Sequence, residues 1–251
     1  MIFDKTKRWL IILGSSWYLI GCFSSPPPLP VKQSLFLEQR IENYQAKGRI
    51  LLKTPQDSQS GDLVLTLDER PELSLQIAVP LVGTVVYEIR ANSQNLMILD
   101  FQNLQYFLRQ NHRWNRWTWL GTDLELEELL WIIFARMRED QFQRWNGVFL
   151  KKGQIQLHQE DSSFELGLNE SGLIRTITKN QDGVPIYFAE ILDYHPVGAQ
   201  LFPTKIKITN PSGDQKIVLV FTQIDLPPTP LSSIQFVPPL DMQPMEGSEQ
   251  P

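Results

Sequence analysis

Cysteine is nearly absent from this chain. Cys22 is the only one in 251 residues. A single thiol closes no intramolecular disulfide, so a compact structure has to rest on a buried core, which a chain of this length can build. Histidine is scarce too, at His112, His158 and His195. No spacing among them resembles zinc ligation, which pairs His or Cys at short intervals. Basic residues are outnumbered, with 23 Lys+Arg against 28 Asp+Glu and a net charge of −5. That balance leaves no electrostatic footprint for nucleic acid and no basic patch for anionic lipid. No apolar run reaches the ~20 residues that a membrane-spanning helix needs. After Cys22 there is neither a glycine-rich phosphate loop nor a Gly-x-Ser-x-Gly nucleophile elbow. Tyr194-His195-Pro196 holds the best acid/base side chain and has no nucleophile partner. Glu125, Glu127 and Glu128 gather at a predicted helix start, where the helix dipole favours them without any catalytic role. The chain reads as a non-enzyme, with no metal site.

The amino terminus is the most specific stretch. Lys5, Lys7 and Arg8 precede a short apolar run over 9–20, which ends in Leu19-Ile20-Gly21-Cys22. Basic flank, short apolar run and small residue before a cut describe a secretory signal peptide. The lone cysteine after Gly21 resembles the bacterial lipoprotein lipobox. That resemblance implies cleavage before Cys22 and acylation of its thiol and new amino group. The only non-protein groups expected are this diacylglycerol and N-acyl chain. Processing would leave 230 residues with 20 Lys+Arg and 27 Asp+Glu, a net charge of −7, with the lipid as the sole anchor. The residue after Cys22 is Phe23 rather than the Asp that commonly signals inner-membrane retention. In a two-membrane organism, the expected location is the outer membrane, facing the periplasm.

Downstream, the organisation predicted is a signal peptide over 1–21, a lipidated Cys22 with a proline-stiffened linker over 22–32, one domain over 33–242 and a disordered tail over 243–251. Leu37, Ile41 and Tyr44 fall at helical spacing and predict a helix over 34–44. Short alternating segments follow at 49–54, 63–68, 73–79, 84–91, 96–101 and 104–109, separated by turn-forming residues. Thr122-Asp123-Leu124-Glu125 has the capping-box pattern and opens an apolar helix through Leu126, Leu129, Leu130, Ile133 and Met137. Further strands are predicted at 154–159, 164–168, 173–179, 184–194, 204–209 and 216–225. Sheets of this size tend to curl. The fold expected is mainly β: an unclosed antiparallel barrel of about eleven strands, with an N-terminal helix and a buried helix in its concave face.

Two apolar features are poor fits to a purely structural role. Leu81 and Val82 stand between Pro80 and Gly83, where turns favour polar residues. Trp114, Trp117 and Trp119 lie within six residues, with Arg113 and Arg116 among them. Either these aromatics pack on the Leu-rich helix, or they form an amphipathic lip at a membrane or around a lipid cavity.

Four stretches together resemble the LolA/LolB family of lipoprotein localisation factors. They are Gly48-Arg49-Ile50 with Gly61-Asp62-Leu63-Val64-Leu65, the strand Leu75-Gln76-Ile77-Ala78-Val79 with the loop Pro80-Leu81-Val82-Gly83, the Leu-rich helix after Thr122, and Phe202-Pro203-Thr204-Lys205-Ile206-Lys207-Ile208-Thr209 with Lys216-Ile217-Val218-Leu219. Val82 lengthens the family's Pro-Leu-Gly loop, and the tryptophan cluster has no family counterpart. The resemblance, with the lipid anchor, implies a LolB-like acceptor that holds acyl chains of lipoproteins or lipids in an apolar cavity and helps insert them in the outer membrane. It implies a periplasmic LolA-like carrier as donor. It makes Leu81 and Val82 a membrane-inserting loop, and Leu126, Leu129, Leu130, Ile133, Trp117 and Trp119 cavity or lid residues. The alternative is a structural envelope lipoprotein that docks an assembly complex and has no lipid cavity.

Overall fold

A computed structural model describes residues 43–67, 72–92, 94–109, 124–137, 139–150, 153–227 and 234–246. Alternation in the sequence becomes alternation in space. Leu63, Leu65 and Leu67 are buried while Val64 and Thr66 between them are half-buried, as period two on a one-sided sheet demands. The first run gives β1 (Tyr44–Lys53), β2 (Ser58–Leu67), β3 (Leu73–Ala78), β4 (Val85–Ala91), β5 (Leu96–Asp100) and β6 (Gln105–Arg109). Two helices follow, α1 (Leu126–Phe134) and α2 (Glu139–Arg144). The second run gives β7 (Val148–Phe149), β8 (Gln154–Gln159), β9 (Ser162–Leu168), β10 (Ile174–Gln181), β11 (Val184–Val197), β12 (Gln200–Thr209), β13 (Lys216–Asp225) and β14 (Gln243–Pro244).

All the strands join one sheet in the order β14-β6-β5-β4-β3-β2-β1-β13-β12-β11-β10-β9-β8-β7. The sheet is the unclosed, curved one expected, antiparallel except where β14 pairs parallel with β6. It has fourteen strands among the described residues, because the two-residue edge strands β7 and β14 carry no periodicity that a sequence could reveal. β1 pairs with β13, which ties the first run to the end of the second. The seam depends on Gly48 at a register shift, where an added Cβ would lie 1.9 Å from the Val220 carbonyl oxygen.

The core lies on the inner face, against α1. Phe134 meets Tyr44 edge-on at 5.0 Å, and Trp131 meets Phe164 at 5.3 Å. The helix is short because Ala135 turns left-handed, at φ 46°, and ends it. It therefore stops before Met137, which lies in a separate bridge. Its N-cap is Glu125 rather than Thr122, and Glu128 accepts from the Glu125 N–H at 3.1 Å. Thr122 itself lies outside the described residues, as does most of the expected 34–44 helix. Tyr44, placed at the end of that helix, instead opens β1.

The outer face of β5 and β6 carries a second cluster, Met97, Leu99, Tyr106 and Leu108, covered by Met242 and Phe236. The segment 234–242 is thus a strap. Ile234 N–H donates to Glu72, Arg90 donates to the Gln235 carbonyl, and Gln243 N–H donates to the Leu104 carbonyl. The predicted tail begins where this strap ends, and its first two residues, Gln243 and Pro244, instead pair parallel with β6. The hairpin registers collect the turns 54–57, 79–84, 101–104, 160–161, 182–183 and 210–215 at one end of the sheet, with turn 239–242 before β14.

Candidate functional site

At that end, the concave face holds a groove of about 500 Å³. Inward positions of the first four strands make its walls: Ile50 and Leu52 from β1, Gly61 from β2, Ile77 from β3 and Tyr87 from β4, with Val79 and Val86 beside them. Its mouth is polar, with Thr54, Asp57, Gln59, Ser60 and Gln102. Position 61 is glycine because the Ile77 side chain packs directly over it. A Cβ there would come within 2.6 Å of Ile77 Cγ2. Tyr87 donates to Asp100, and burial, followed by the Asp100 carboxylate, pushes the phenol pKa up. Asp100 also accepts from the Gln102 and Asn103 N–H groups, each at 3.0 Å. One buried carboxylate therefore shapes the 101–104 turn and orients Tyr87.

The loop after β3 lies on the same rim. Val79 N–H donates to Thr84 O at 2.9 Å, and Gly83 N–H donates to Val79 O at 3.0 Å. Between these bonds Leu81 is 98% exposed and Val82 is 72% exposed. Leu81 also sits at φ 68°, a left-handed conformation costly for any residue with a branched side chain. The apolar residue is thus both unshielded and strained.

The helix residues lie elsewhere. Leu126, Leu129 and Ile133 are buried in the core and Leu130 is half-buried, and none of them lines the groove. Trp117 and Trp119 lie outside the described residues, as do Trp114, His112 and Cys22. His158 and His195 are exposed on β8 and β11. No group of three or more His, Cys, Asp or Glu residues suited to a metal occurs among the described residues.

A buried polar cluster joins helix to sheet. Glu128 Oε1 accepts from Lys179 Nζ at 2.5 Å, and its Oε2 accepts from the Tyr187 hydroxyl at 3.2 Å. Burial raises the Glu128 pKa to about 7 against the opposing pull of Lys179. Burial, then Glu128, pushes Tyr187 well up. In the sequence, the carboxylates at the helix start read as groups that the dipole favours and nothing more. Glu128 is instead the helix's electrostatic attachment to β10 and β11. The signal that could have found it is its position among apolar residues. Glu128 lies between Leu124, Leu126, Leu129 and Trp131, within the buried stripe.

No protein-family model and no curated protein sequence matches the chain. Solved structures do. A domain from Vibrio parahaemolyticus, assigned to outer-membrane lipoprotein sorting, superposes at TM-score 0.57 with 11% identity, over 80% of this chain and 91% of that one. A DUF1329 family protein from Desulfovibrio piger superposes at 0.51 with 7% identity, over 78% and 88%. A LolA superfamily protein from Nitrosomonas europaea superposes at 0.50 with 12% identity, over 80% and 92%. The fold is therefore LolA-like.

Proposed function

We propose that the chain is a lipid-anchored carrier or acceptor that takes acyl chains of lipoproteins or lipids into the groove between β1 and β4. Cys22 holds it to the outer membrane, facing the periplasm, and a LolA-like carrier supplies the cargo. The observation that carries the reading is an apolar-walled groove opening beside an exposed apolar loop, on a LolA-like fold. Removal of each acyl methylene from water is worth ~0.8 kcal/mol, which needs no covalent chemistry. Exchange works because groove and bilayer offer similar apolar surroundings, so transfer is close to neutral. The Leu81–Val82 loop supplies the contact with the receiving membrane.

A fluorescent fatty acid tests this. Saturable binding at one site per chain is expected, displaced by unlabelled fatty acid. Leu52→Trp, which fills the groove from a half-buried wall position, should abolish binding while leaving the melting curve in place. No binding by folded wild-type protein, or binding unaffected by Leu52→Trp, would remove the groove from the mechanism.

A further inference from the structure

The rim around the groove is not uniform. Three neighbouring turns, 80–84, 101–104 and 239–242, contain one charged residue between them, Asp241. The remaining turns at this end each contain an acid: Asp57, Glu160 with Asp161, Asp182, and Asp214. Lys53 and Lys216 flank those turns as facing strand ends. Each of the three charge-poor turns presents a leucine. Leu81 is 98% exposed, Leu104 is 48% exposed and Leu240 is fully exposed. Leu104, like Leu81, is held left-handed, at φ 53°. Asp100 forces that turn by binding the two preceding N–H groups. Leu240 is brought alongside by the strap, through the Gln243 N–H bond to the Leu104 carbonyl. A strand spacing of about 4.8 Å puts these tips roughly 10 Å apart.

We propose that Leu104 and Leu240 act with Leu81 as a three-point contact that seats the mouth of the groove on a phospholipid membrane surface. This rests on the acyl-carrier reading and extends it from one loop to a defined plane. Separate knobs spaced by Gln102 and Asn103 do not make the contiguous patch of about 800 Å² that a stable protein partner covers. A fluid apolar phase accepts each knob independently, and leucine is suited to the boundary between headgroups and acyl chains. The acidic half of the rim favours water, so the contact tilts the charge-poor half downward. That tilt brings the Gln102 and Pro80 edge of the groove mouth to the place where acyl chains enter the bilayer and leaves its Asp57 edge in water.

The test uses the full chain on phosphatidylcholine vesicles, with Cys22 acylated or replaced by serine. A polarity-sensitive probe is attached to a single cysteine introduced at position 81, 104, 184 or 240. Val184, exposed beside Asp182 in the acidic half, is the control. Probes at 81, 104 and 240 should shift to the blue and be quenched by bromine-labelled acyl chains, while the probe at 184 stays in water. Leu104→Asn with Leu240→Asn should slow fatty-acid transfer to vesicles at least tenfold, since burial of one leucine is worth about that factor. Probes at 104 and 240 that stay in water while the probe at 81 is embedded would overturn the three-point contact and leave the carrier reading standing. Loss of fatty-acid binding by the wild-type groove would overturn the carrier reading, and the probe positions would still decide the contact.

Discussion

Replacing Leu81 by asparagine should make the protein more stable and less competent. Leu81 occupies the left-handed region at φ 68°, which costs a residue of this kind about 1–2 kcal/mol. Asparagine visits that region far more readily. The leucine side chain is 98% exposed, so its removal forfeits almost no packing. The net expectation is a gain of about 1 kcal/mol, which raises Tm by about 2–4 °C for a domain of this size. Delivery to membranes should move the other way. A leucine transferred from water into an apolar phase gains about 1.5–3 kcal/mol, so its loss slows vesicle transfer about tenfold or more. Fatty-acid affinity should not change, because Leu81 does not line the groove. Thermal denaturation, fatty-acid titration and a vesicle-transfer assay on the same preparation separate these terms. A Tm lowered by several degrees would mean that Leu81 packs. A raised Tm with undiminished delivery would mean that Leu81 is an ordinary exposed leucine and that the argument from strain to function fails.

The buried cluster yields further expectations. Lys179→Met strands the Glu128 carboxylate and should cost about 3–5 kcal/mol in denaturant unfolding at pH 8, most of it recovered by adding Glu128→Leu. The Glu128 pKa is raised from 4.5 to about 7, so its contribution is full below about pH 4.5 and is lost as pH rises through about 7. The stability of wild type relative to Glu128→Gln should accordingly fall between pH 5 and pH 8, as read from chemical denaturation across that range. Gly48→Ala puts a Cβ 1.9 Å from the Val220 carbonyl oxygen and should cost about 3 kcal/mol or more, visible as a lowered Tm. Cys22→Ser should leave an unprocessed precursor of higher mass by mass spectrometry in the native host, and a mature-size product would refute the lipobox reading.

Legibility followed the range of the interactions. Strands 154–159 and 216–225 appear at the boundaries their alternation predicts, because period two is a local record of which face is wet. The α1 helix is legible from its apolar density, yet it starts at Glu125 rather than Thr122. The box formed there pairs Glu125 with Glu128, whose carboxylate Lys179 and Tyr187 also claim. β14 is not legible at all. Gln243 and Pro244 look like tail, and they become a strand only because Met242 and Phe236 cover the outer face of β5 and β6.

Of the site, Leu81 and Val82 stand out in the sequence because an apolar pair between Pro80 and Gly83 violates turn chemistry. The groove does not stand out, since its walls come from strands separated by up to 37 residues, from Ile50 to Tyr87, and each wall residue reads alone as ordinary core. The sequence by itself determined the class of structure: alternation, turn residues and one dense apolar helix commit the chain to a curved antiparallel sheet. Only the tertiary structure decided where that sheet is left unfilled and which tips share the opening. Strand order and register set both, and they depend on pairings such as β1 with β13 that no local pattern encodes.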